Sequence, residues 1–264
     1  MHIVNTNKMN LRTDLTIDTK IPSNKILETS GISLYNSRKK DNNYSTITFI
    51  DPTDTNQETI IETILINELK RYIKNYNKYL IIGLGNRKST PDALGPKVLD
   101  NIIVTRHLYS LGDVDTNYKN VSIYEPSVLG TTGIESVEVI KNIVNIVKPD
   151  CCILIDSLCT NNYDRLNKTI QITDKGINPG SGVFNDRGEL SKNTLNTNVV
   201  AIGVPTVLDI DSLINNILIK SNIKEIELED NLILTPKDID FVIDKISNII
   251  STSLNKAIHT INRQ

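Results

Sequence analysis

Two aspartates set the chemical question. Asp92 follows a glycine turn in "GNRKSTPDALGP" (85–96), and Asp156 closes the apolar run "CCILID" (151–156). A carboxylate at the end of an apolar strand is costly unless it is paired or faces a cleft. Two carboxylates held together cannot both ionise easily, so one pKa rises and the pair shares a proton. One member then activates a water as general base, and its protonated partner donates to a carbonyl oxygen or to a leaving amine. The plainer reading of Asp92 alone is a cap, because it opens a helix whose positive end favours a carboxylate.

Other chemistries fit the residues less well. Gly83 and Gly85 begin a G-x-G turn, yet Lys88 stands where the third glycine of a dinucleotide fingerprint belongs, and no window matches a P-loop. The acidic ribose partner would fall among Thr105, Arg106 and His107, none of which is acidic. His2, His107 and His259 are scattered and form no H-E-x-x-H, so structural or surface roles are expected of His107 and His259. Ser181 in "PGSG" has no strand before it to make a nucleophile elbow. Cys151, Cys152 and Cys159 lie close together with no C-x-x-C and no nearby histidine. Neighbouring residues of a strand face opposite ways, so buried reduced thiols are expected in place of a disulfide or a zinc site.

The elements that must position the two aspartates alternate along the chain. "STITFI" (45–50) has the period of a strand, and 55–76 places its apolar residues at helical spacing. Strands are expected at 78–85, 121–125, 151–156 and 199–205, with helices at 92–108 and 133–147. A last helix should start at Thr235-Pro236 and run to about Ile261. Residues 1–43 read as a polar, irregular extension, with 36–43 as an exposed loop. Near-continuous Ile/Val/Leu strands alternating with helices imply an α/β fold, a mostly parallel sheet with helices on both faces. Such sheets carry their sites at the carboxyl ends of the strands, which is where Asp92 and Asp156 fall if strands 80–84 and 151–155 are neighbours.

Composition narrows the partners. The 264 residues carry a formal net charge of -2 with 23% charged residues, so no nucleic acid or membrane surface is indicated as a partner. No apolar run reaches the roughly 20 residues of a bilayer span, and the N-terminus lacks the apolar core of a secretory signal.

Taken together, "GLGNRKSTPDALGPKVLDNIIVTRHL", "GTTGIES", "IDSL", "NKTIQITDKGINPGSGVFNDRGELSKNTL" and "VVAIGVPTVLD" resemble the germination protease family of spore-forming Firmicutes. The resemblance runs from about Arg12 to the C-terminal helix. It implies an atypical aspartic endopeptidase of the spore core, a cytoplasmic compartment, acting on small acid-soluble spore proteins and assembled as a homotetramer. It assigns the catalytic roles to Asp92 and Asp156. Gly83, Gly85 and Asn86, with Gly180 and Gly182 of the glycine-rich segment 177–191, are then the supports of the site loops. The family's fold is similar to that of hydrogenase-maturation peptidases, with a phosphorylase-like arrangement, whose acidic residues and a histidine bind nickel. Here "GINPGSG" offers Asn178 where a histidine is needed, so neither a metal nor another cofactor is expected.

The resemblance also implies a self-processing zymogen. "LRTDLTID" is similar to the family's processing site, which places the cut between Asp14 and Leu15, with residues 1–14 as propeptide and 15–264 as one peptidase domain. A basic group that reads an acidic substrate residue is expected among Arg87, Lys88, Arg165 and Lys168. The chain is shorter than Bacillus-type members, and Asp156-Ser157 is followed by Leu158, unlike the D-[ST]-G of pepsin-like enzymes. A metal-dependent maturation-type peptidase and a non-catalytic Rossmann-like module that binds an anion or nucleotide are the alternative readings.

Overall fold

The structure, a computed structural model, describes residues 14–18, 23–73, 76–112, 114–179, 188–221, 223 and 232–260. Its elements in chain order are β1 (Ser23–Thr29), β2 (Ile32–Lys39), β3 (Asn42–Thr48), α1 (Thr55–Ile73), β4 (Lys78–Gly83), α2 (Leu94–Leu99), α3 (Arg106–Leu111), β5 (Asn120–Tyr124) and α4 (Leu129–Thr132). They continue with α5 (Ser136–Val147), β6 (Cys151–Thr160), β7 (Thr169–Thr173), α6 (Lys192–Leu195), β8 (Asn198–Asp209), α7 (Ile210–Lys220), β9 (Ile233–Leu234) and α8 (Ile239–Ile258).

One sheet runs in the order β1-β2-β3-β7-β8-β6-β4-β5, with β9 added to β8. Its centre, β5-β4-β6-β8, is parallel, as the bulky strands imply. Helices cover both faces. On one side Ile61, Leu65 and Leu69 of α1, Leu94 and Val98 of α2, and Ile246, Ile250 and Leu254 of α8 pack against Ile81, Ile153 and Ile202. On the other, Val137, Ile140 and Val144 of α5 meet Leu80, Ile82 and Leu154. At 3.6 residues per turn these spacings keep each helix's apolar stripe on the sheet. The α/β class read from the sequence is the class observed.

The N-terminal region corrects the sequence reading. Residues 23–48 are an antiparallel meander that extends the parallel centre through β3–β7 and β7–β8. Ser30 and Gly31 both have positive φ, at 49° and 77°, which makes the two-residue turn between β1 and β2. The segment 36–43 is not a loop but the end of a second hairpin, with Lys39 opposite Asn42. β1 is exposed along nearly its whole length, so it carries no alternation to reveal it.

The helix expected at 92–108 is interrupted. α2 stops at Leu99, and Thr105 turns to β5 instead: its N–H donates to Val121 O at 3.1 Å, and its hydroxyl accepts from Val121 N at 2.9 Å. The Ile103 N–H goes to Asn255 of α8 at 3.0 Å. These outside partners replace the intrahelical bonds and free the chain to turn. The last helix begins at Ile239, later than expected, because the Thr235 hydroxyl donates to Thr206 O at 3.0 Å and leaves the helix uncapped there. No helix among the described residues is long and apolar enough to cross a membrane.

Candidate active site

The parallel ladder between β4 and β6 ends with Gly83 opposite Ile155. One step further, Leu84 N–H donates to Ile155 O at 2.8 Å. β4 then leaves the sheet for the loop that carries Asp92. β6 does not stop at Asp156, as its apolar run suggests; it continues to Thr160, paired with the extended β8. Asp156 is therefore mid-strand, level with the point where its neighbour turns away.

Close backbone packing seats the Asp92 loop. A Cβ on Gly83 would lie 2.4 Å from Gly95 O, so the start of α2 rests directly on the end of β4. Gly85, at φ +110°, occupies backbone space that L side chains rarely adopt, and a Cβ there would lie 2.1 Å from Asp92 O and 3.0 Å from its Oδ1. Asn86 N–H donates to Asp92 O at 3.0 Å, and Asp92 N–H donates to Ser89 O at 2.8 Å. The Asn86 side-chain oxygen accepts from Lys88 N–H at 3.1 Å. Asp92 ends the short 3-10 turn Thr90–Asp92, which has Pro91 inside it and no side-chain cap. Gly83, Gly85 and Asn86 thus support the loop; Gly180 and Gly182, like Ser181, lie outside the described residues.

Asp92 and Asp156 line one cavity of about 620 Å³. Asp156 is only 7% exposed. Its pKa stands well above the ordinary carboxylate range, first because burial disfavours the charge and next because Asp92 is negative. The Ser157 N–H, 2.9 Å from Asp156 Oδ1, pulls the other way, and Asp14 adds a smaller upward push. A carboxyl with a raised pKa that faces the same cavity as a second carboxyl is an arrangement able to move protons in both directions.

Asp14 and Leu15 line the same cavity. Asp14 N–H donates to Cys159 O at 3.0 Å, and Cys159 N–H donates back to Asp14 Oδ2 at 2.8 Å. The chain thereby adds itself to the free side of β6 and buries Leu15 completely. The structure so brings together four residues singled out in the sequence: Asp14, Leu15, Asp92 and Asp156.

Other expected residues are placed elsewhere. Arg87 is exposed and held by Asp100 at 2.9 Å, Glu125 at 2.7 Å and Pro96 O at 2.9 Å. Neither it nor Lys88, Arg165 or Lys168 lines the cavity, whereas Lys39 and Lys175 do. Sequence reasoning missed these two lysines because they sit at the ends of β2 and β7, elements it had not recognised. Gln171 was missed as well. It is 6% exposed in the middle of β7, and its side chain meets the Asp14–Thr16 segment.

The three cysteines are buried free thiols, as expected, and burial raises the pKa of Cys151 and Cys152. His107 is exposed. His259 is buried and accepts from Lys119 N–H at 3.1 Å, a structural role. Among the described residues no group of three or more His, Cys, Asp or Glu side chains is placed to share a metal ion.

The germination protease family profile matches residues 5–227. The chain belongs to the germination protease family. It is 38% identical over 252 residues to the germination protease of Clostridium tetani (strain Massachusetts / E88), an alignment covering 82% of this chain and 78% of that protein. It is 34% identical over 292 residues to the germination protease of Bacillus subtilis (strain 168), covering 84% and 79% respectively. A [NiFe] hydrogenase maturation protease, HycI from Thermococcus kodakarensis KOD1, superposes with a TM-score of 0.41 at 17% identity, over 71% of this chain and 98% of that one.

Proposed function

We propose that this germination-family protease is an endopeptidase of the atypical aspartic type, with Asp92 and Asp156 sharing a catalytic water and no metal or other cofactor. The reading rests on one observation above all: the two carboxyls and the Asp14–Leu15 peptide line a single cavity. One carboxylate accepts a proton from water as the water oxygen bonds to the Asp14 carbonyl carbon. The protonated partner donates towards the carbonyl oxygen. The tetrahedral intermediate then collapses, the C–N bond breaks, and a proton passes to the Leu15 nitrogen. The products are a peptide ending in the Asp14 carboxylate and a chain beginning at Leu15.

On this reading the protein is a zymogen that removes residues 1–14 and leaves the 15–264 peptidase. Its substrates are small acid-soluble spore proteins in the spore core, cut after an acidic residue that takes the place of Asp14. Self-assembly into a homotetramer is favoured by apolar side chains left exposed near the C-terminal part, among them Ile217, Leu232, Ile233 and Phe241.

The test is to incubate the purified full-length protein with a small acid-soluble spore protein and map the bonds cut by mass spectrometry. Cuts following acidic residues, lost in Asp92→Asn and Asp156→Asn, are expected. Cuts without regard to the preceding residue would count against the substrate reading.

A further inference from the structure

The side chain of Gln171 bridges the peptide that the proposed function identifies as the one cut. Its Oε1 accepts from Thr16 N–H at 2.6 Å, and its Nε2 donates to Asp14 O at 3.2 Å. Asp14 O is the carbonyl oxygen of the Asp14–Leu15 bond. The amide orientation follows from the chemistry: Thr16 N–H has only a proton to offer, so it must face the oxygen, which turns the NH2 group towards the carbonyl.

The sheet fixes where this amide sits. Asp156 of β6 pairs with Gly203 of β8, and Gly203 pairs in turn with Gln171 of β7. The three residues form one row across three strands, so Asp156 and Gln171 project from the same face. They stand two strands apart, about 10 Å. Gly203, between them, has no side chain to close the gap, and Leu158 lies over it. The Asp14–Leu15 peptide lines the same cavity as Asp156, and Gln171 holds it from β7.

We infer that Gln171 is a catalytic residue of this protease, an oxyanion donor to the carbonyl of the bond being cut. The inference rests on the Asp14–Leu15 cleavage proposed above. A bond of 3.2 Å to the ground-state carbonyl is slightly long. It strengthens as the carbon becomes tetrahedral and negative charge gathers on the oxygen, which is the differential binding that speeds a reaction. The amide is buried, so it is not diluted by water. Its second bond, to Thr16 N–H, holds the residue after Leu15 and keeps the donor from turning away.

The experiment compares self-cleavage between Asp14 and Leu15, followed by intact mass, in full-length wild type, Gln171→Met and Gln171→Glu from pH 5 to 8. Thermal unfolding confirms that each variant is folded, and Gln171→Glu, nearly isosteric, serves if Gln171→Met does not fold. Glutamate keeps the acceptor for Thr16 N–H and has a donor only when protonated. Gln171→Glu is therefore expected to cleave about 10²–10³-fold more slowly than wild type at pH 7. Its rate relative to wild type should climb as the pH falls. In an Asp156→Asn background, hydrogen exchange at Leu15 and Thr16 should be unchanged by Gln171→Glu, which separates donation from mere positioning. Cleavage within threefold of wild type at pH 7, or a rate ratio flat with pH, overturns the inference. Cleavage that persists in Asp92→Asn and Asp156→Asn overturns the underlying two-aspartate reading instead, and those two variants alone report it.

Discussion

Leu84 N–H and Ile155 O are joined at 2.8 Å, one step past the end of the β4–β6 ladder. That bond holds the base of the Asp92 loop against the residue before Asp156. Asp156 is thereby carried by a buried strand, and the Asp92 loop hangs from the end of its neighbour, in a register that cannot slip without turning a buried face to water. Such rigid support is what a proton-sharing pair requires, because a displacement of 1 Å can cost about 10² in rate.

Asp156 should weaken the fold that it serves. Its folded pKa is raised, so above the unfolded value of about 3.9 the unfolded chain releases a proton that the folded chain retains. Folding is penalised increasingly as the pH climbs from there towards the folded pKa. Asp156→Asn removes the penalty and keeps an acceptor for Ser157 N–H. The variant should melt above wild type at pH 7, the gain disappearing below about pH 4. Each kcal/mol moves the Tm by roughly 2–4 °C in a chain of this size, so thermal scans across pH measure it.

Gly85→Ala should damage both stability and catalysis. The new Cβ meets Asp92 O, and φ of +110° is strained for alanine. A loss of about 1–3 kcal/mol is expected from the backbone, together with about 10²-fold slower cleavage from displacement of Asp92. Chemical unfolding and a peptide-cleavage assay check the two effects separately.

Lys39 and Lys175 are exposed where they line the cavity. Reversing both charges should raise KM for a peptide with an acidic residue before the cut by several-fold and leave kcat near wild type. Because the lysines are exposed, the effect should shrink as salt is added. Steady-state kinetics at two ionic strengths checks this.

The parallel centre was legible because its strands are bulky and covered on both faces, and Asp156 stood out as the acid that closes the wholly apolar run "CCILI". The meander was not: β1 faces water along its length, and β2 mixes Ile32 and Leu34 with Asn36, Ser37 and Arg38. With β2 and β7 unrecognised, Lys39, Lys175 and Gln171 had no element to place them. Gln171 is a single polar residue between Ile170 and Ile172. Its position opposite Asp156 depends on two strand registers and on Gly203, which only folding brings together. Asp14 and Leu15 could be marked by resemblance, but their seat beside Cys159 is a tertiary contact spanning 145 residues.

In the proposed reaction Asp92 and Asp156 together cut the Asp14–Leu15 bond. The most direct measurement is intact mass over time for the full-length wild type, Asp92→Asn and Asp156→Asn, with and without a chelator. Loss of residues 1–14 by the wild type alone is expected, at a rate the chelator does not change. Equal loss of that segment in all three proteins would contradict it.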